Sequence, residues 1–122
     1  MDFTFVDAVT EADTICPNKF SMKQKRGWLY HLESGIRYFM SMYGETDFDD
    51  SFTSGDNPKF ILGKNNSDIY VYYLLSMMDM ANSDMVMYNN HSAMFNSVMT
   101  EWQKKYRREN LPKKNTRISQ EG

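Results

Sequence analysis

Between residues 28 and 43 the apolar side chains stand at Trp28, Leu29, Leu32, Ile36, Phe39, Met40 and Tyr43, in steps of one, three, four, three, one and three. An α-helix gathers positions so spaced onto one face, whereas a strand would need steps of two. The chain must therefore build its core from an amphipathic helix and find other elements to cover that stripe. Ser21 stands where an N-cap belongs, and Gly44 where a left-handed cap would end the helix, which predicts a span of about 22–43.

The same pattern places three more helices. A first covers about residues 4–15, with Phe5, Val6, Val9 and Ala12 on one side, and Pro17 marks its end. A third opens at an expected Ser67 N-cap and runs to about residue 82, with Ile69, Tyr72, Tyr73, Met77, Met80 and Ala81 on one face. A break near Asn82-Ser83-Asp84 precedes the fourth, which carries Tyr88, His91, Phe95, Val98, Trp102 and Tyr106 up to about residue 110. At ~1.5 Å per residue this last helix is a rod of roughly 39 Å, the longest in the chain. The short break between the third and fourth helices predicts an antiparallel hairpin. Residues 44–66 lack periodicity and are rich in turn formers, which marks a long functional or partner-ordered loop. Within it Phe60-Ile61-Leu62 is expected as a short strand or as a segment tucked onto the core. The expected fold is thus all-α, a bundle of about four helices over residues 1–112, with a basic polar tail at 113–122.

With 122 residues, 41% of them hydrophobic and 15% aromatic, the chain has the makings of one globular domain rather than of a disordered segment. The opening Met1-Asp2-Phe3-Thr4 has no basic region followed by an apolar one, so no signal peptide is expected. No apolar run reaches the roughly 18 residues of a membrane helix, and the single Cys16 excludes an internal disulfide framework. Together these predict a reducing cytoplasm and no membrane partner.

Catalytic chemistry finds little footing. His31 and His91 lie on different helices, and beside Cys16 they offer too few ligands for a zinc site, so packed or surface histidines are expected. Cys16 has no flanking nucleophile signature and is expected as a small apolar filler. Asp47, Asp49 and Ser51 have the alternation of a calcium loop, but Phe52 and Pro58 occupy the positions that need Gly and Glu. No enzyme, cofactor or metal is expected.

Charge and methionine point instead to partners. Residues 45–56 hold five acids and no base, Asp47, Asp49 and Asp50 among them. Residues 101–117 hold seven bases against two acids: Lys104, Lys105, Arg107, Arg108, Lys113, Lys114 and Arg117 against Glu101 and Glu109. Part of the excess complements the helix dipole, and a solvated basic face is the plain reading. The sharper one pairs acidic and basic segments between neighbouring copies, and a third is nucleic-acid contact by the tail. Seven of the eleven methionines crowd the hairpin, and Met78 and Met87, with Tyr30, Tyr38 and Tyr70, fall beside the apolar stripes. That placement predicts exposed apolar surface for burial against a second chain.

The order of local signals resembles the head–tail adaptor (head-completion or connector) proteins of long-tailed bacteriophages and prophages. The residues that carry it are Pro17-Asn18-x-Phe20, Lys25-x-x-Trp28-Leu29-x-x-Leu32, Ile69-Tyr70-x-Tyr72-Tyr73-Leu74 and Asp79-x-Ala81-Asn82. They continue as Tyr88-Asn89-Asn90, Phe95-Asn96 and Tyr106-x-Arg108 before Pro112, so the match covers about residues 15–112. The resemblance implies a helical structural virion protein. Copies would form a ring beneath the portal protein, extend the channel through which DNA passes, and seat the next head-completion or tail protein. It carries no catalytic residues. A ring and portal interface is then expected at the acidic loop, at Tyr70, Met78 and Met87, and at the basic residues of the fourth helix and tail. The alternative is a small cytoplasmic regulator that binds protein or nucleic acid through its basic C-terminal helix, and steep salt dependence would mark it.

Overall fold

A computed structural model describes residues 1–45 and 55–110, and within them the chain is all-helical. Four α-helices follow one another: α1 (Phe5–Ile15), α2 (Met22–Ser41), α3 (Ser67–Ala81) and α4 (Met85–Glu109). The Asp47, Asp49 and Asp50 part of the acidic loop and the whole tail with Lys113, Lys114 and Arg117 lie outside the described residues.

Three of the four helices begin where a side chain satisfies the first free amides. Thr4 and Ser21 both close capping boxes, the first with Asp7 and the second with Gln24, so side chain and backbone satisfy each other in both directions. Asp84 caps α4 by accepting from the Met87 amide at 3.2 Å. The expected Ser67 cap is not formed: a 3-10 turn at Lys64–Asn66 leads straight into the helix, and Ser67 is already its first residue. α2 ends two residues before the expected boundary, in a turn that Gly44 completes at a φ of 97°. The α3–α4 connection is as short as expected and holds Ser83 at a φ of 58°.

Side-chain links fix the topology. Asp13 near the end of α1 meets Lys25 near the start of α2, Asp79 at the end of α3 meets His91 in α4, and Phe39 late in α2 meets Trp102 and Tyr106 late in α4. The helices therefore run up, down, up, down. At the centre is α3, packed against α1, α2 and most extensively α4. Its Ile69, Tyr70, Val71, Leu74, Leu75 and Met78 are all buried, a set that spans most of its circumference. This corrects the sequence-based stripe, which put Met80 and Ala81 inward and left Tyr70 and Met78 out. Met80 and Ala81 are exposed, because α3 is a central helix with several neighbours rather than a one-faced surface helix. The same correction applies on a smaller scale in α1, where Ala8 replaces Val6 on the buried side.

Residues 1–4 and 58–64 run antiparallel through one isolated bridge, Thr4 with Lys59, and among the described residues there is no regular strand. Phe60 and Leu62 tuck into the core, and Phe60 stacks on Tyr70 at 3.9 Å between ring centroids. No helix among the described residues is long and apolar enough to cross a membrane.

Candidate interaction surface on the fourth helix

None of the 25 residues of α4 is fully buried. The helix contacts the body along one seam of half-buried side chains, Tyr88, His91, Phe95, Val98, Trp102 and Tyr106, which is the stripe its sequence predicts. Phe95 packs on Tyr73, and the far end is anchored by a cluster in which Phe39 and Tyr43 of α2 surround Trp102 and Tyr106 at centroid distances of 5.4–5.9 Å. At the near end the His91 ring lies over Tyr72, and its Nδ1 is 2.6 Å from the buried Asp79 carboxylate. These contacts fix the rod at both ends, so its opposite face has a defined orientation.

That opposite face differs between the two ends. Around the α3–α4 turn Met85, Val86 and Met87 are exposed, Val86 at 71% pointing away from the body and Met87 closer to the seam, and two turns on Met94 is exposed on the flank of the seam. Ile15, at the end of α1, faces Met94 across a groove of about 620 Å³ floored by Tyr72 and Leu75. At the other end stand Lys104, Lys105, Arg107 and Arg108, all exposed, and none of them forms an ion pair with another described residue. Glu45, the first acid of the loop, lies close enough to Tyr106 that its charge, together with the larger effect of burial, pushes the phenol up. The acidic segment thus starts beside the basic end of its own chain's α4.

Of the residues expected at an interface, Met87, Lys104, Lys105, Arg107 and Arg108 are exposed on α4. Tyr70 and Met78 are not available to a partner, since both have 0% exposure in the core. The Tyr70 hydroxyl instead donates to Glu33 at 2.7 Å and accepts from the Leu62 amide at 3.2 Å, and burial pushes its pKa well up. Tyr30 and Tyr38 are exposed on α2, as their off-stripe positions suggest.

Three buried charged residues escaped the sequence reading. Glu33 accepts from the Ile61 amide at 2.6 Å as well as from Tyr70, Lys25 reaches both Asp13 carboxylate oxygens at 3.1 Å, and Asp79 holds His91. A signal for them existed: Lys25 and Glu33 each stand four residues from Leu29, and Asp79 four from Leu75, on the apolar faces themselves. A charge on a core stripe must be paired, and each of these pairs ties one element to another. Cys16 is half-buried, and burial followed by the charges of Asp79, Asp84 and Asp13 raises its thiol pKa, which disfavours the reactive thiolate. Among the described residues no group of three or more His, Cys, Asp and Glu could hold a metal ion. Compared with known proteins, the chain matches no family model, no curated protein and no solved structure.

Proposed function

We propose that this chain is a structural assembly protein of the head–tail adaptor type, joining a phage portal to the next head-completion or tail protein as a ring of identical copies. Helix α4 carries the proposal. It is the longest described helix, is anchored at both ends, and is left with one whole face uncovered by the other described residues. A rigid rod with a methionine-rich end and a cationic end suits lateral packing between copies better than it suits binding a small molecule. The order of local residue signals from Pro17 to Arg108 supports the finer reading, in which the partner above the ring is a portal. On this reading the chain is not an enzyme. It acts in the virion at the head–tail vertex, after assembly in the host cytoplasm.

The copy-to-copy contact would use Met87 and its neighbours on α4, with the basic end of the helix turned toward the acidic loop of the next subunit. Electron microscopy of the full chain mixed with portal rings of the same virus tests it. A cyclic ring stacked coaxially on the portal is the expected image. Portal rings that stay bare at saturating protein concentration would rule the adaptor role out.

A further inference from the structure

Met87, His91 and Met94 stand four and three residues apart on α4. At about 100° per residue they share an arc of about 60°, with one thioether about 6 Å before the histidine along the axis and the other about 4.5 Å after it. Met87 and Met94 are 38% and 46% exposed, and Met94 and His91 line the same groove beside Ile15. The His91 side chain is only 13% exposed and is held from the α3 side. Its Nδ1 lies 2.6 Å from the buried Asp79 carboxylate, and its ring lies over Tyr72. A carboxylate only accepts, so Nδ1 carries the hydrogen and Nε2 keeps a lone pair turned away from Asp79. Among the described residues Nε2 has no hydrogen-bond partner.

We infer that Met87, His91 and Met94 form a site for a soft monovalent metal ion, Cu(I), with Nε2 and the two thioether sulfurs as its ligands. Thioethers are neutral and polarisable, and they select Cu(I) over hard divalent ions, which prefer oxygen. Zn(II) is served by thiolate, imidazole and carboxylate, and the strip offers only one of these. A metal-bound imidazole commonly donates its other ring N–H to a carboxylate, which fixes the tautomer and raises the basicity of the ligating nitrogen. His91 and Asp79 have that arrangement already. Charge favours a cation at this corner, since Asp13, Asp79 and Asp84 all lie near enough to Cys16, the neighbour of Ile15, to act on its thiol. Both methionines are exposed, so their sulfurs can swing toward Nε2 without breaking a core contact. The inference does not rest on the adaptor reading, and the portal experiment leaves it untouched.

The test is NMR of the full chain with isotope-labelled methionine methyl groups, titrated with Cu(I) in the absence of oxygen. One equivalent should shift the methyl signals of Met87 and Met94 and the ring signals of His91. Those of Met22 and Met42, exposed on and just after α2, should stay in place. M94L keeps the apolar volume and removes the sulfur, so it should weaken binding at least about tenfold, no less than the loss of an outer-shell partner does. Thermal melting checks that the variant folds. If it melts early, M87L should give the same loss from the other end of the strip. Absence of any shift at one equivalent overturns the inference, and so do equal shifts at every exposed methionine, which mark unselective thioether binding. A C16S variant that no longer binds overturns it as well, by moving the ion to the thiol. Displacement of Cu(I) by one equivalent of Zn(II) also overturns it, because a site built on thioethers does not prefer the harder ion.

Discussion

Glu33 is a carboxylate with 1% exposure whose two oxygens are both engaged, by the Ile61 amide and by the Tyr70 hydroxyl. Burial pushes its pKa above the ordinary value, and the two hydrogen bonds and the nearby Arg37 charge pull back only part of that shift. The folded chain therefore takes up a proton at Glu33 more readily than the unfolded chain does. The contribution of this site to stability is fully present below the ordinary carboxylate value of 4.5 and is lost as pH rises through the raised folded value. Glu33→Gln removes that titration and leaves one buried donor facing an amide nitrogen, a loss of about 1–3 kcal/mol. Urea unfolding of the two proteins at several pH values checks both statements. The stability gap between them should widen as pH falls from 7 toward 4.5; a constant gap would place Glu33 at an ordinary carboxylate pKa, and a narrowing gap below it.

At the scale of elements, two glycines sit inside α2 where nothing in the fold asks for them. A Cβ built at Gly27 or Gly35 meets no atom within 4 Å, and both lie in helical backbone on the exposed side. Alanine restricts the unfolded chain and favours helix, so G27A and G35A should each stabilise the protein by about 0.5–1 kcal/mol. Gly63 behaves oppositely. A Cβ there would lie 2.7 Å from the Met1 carbonyl oxygen, which also accepts from the Lys64 amide at 3.0 Å, so G63A should cost about 1–3 kcal/mol. Melting temperatures of the three variants decide the matter, and stabilisation by G63A or destabilisation by both α2 variants would contradict this geometry. The contrast also shows what could be read from sequence. The stripes of α2 and α4 were legible because each helix faces the body on one side, which leaves a clean 3.6-residue period. In α3 the period is blurred because neighbours surround it, so the sequence located the helix but mistook its inward residues. The tuck of Phe60 and Leu62 onto the core was legible, but its pairing with residues 1–4 was not, since that depends on backbone bonds such as Phe60 to Phe3 that side-chain spacing does not encode.

For the whole molecule, the central placement of α3 changes what the apolar hairpin means. Its apolar circumference is satisfied within the chain by α1, α2 and α4, and gives no reason to invoke a partner. Among the described residues, a group of exposed apolar side chains gathers at one end of the bundle. Met80, Met85, Val86 and Met87 flank the α3–α4 turn, and Ile15, 57% exposed, and Met94 face each other across the adjoining groove. Exposed apolar side chains scattered singly are ordinary, but a group gathered at one end marks an interaction site. Val86→Ser with Met87→Gln removes part of this surface while touching no core contact, so stability should change by no more than about 0.5 kcal/mol. Association of the chain with itself should weaken severalfold, which sedimentation velocity over a concentration series would measure alongside a melt. Equal association by parent and variant, with both folded, would move the copy-to-copy contact away from the α3–α4 turn. The next surface to test would then be the exposed strip of α2 around Gly27, His31 and Tyr38.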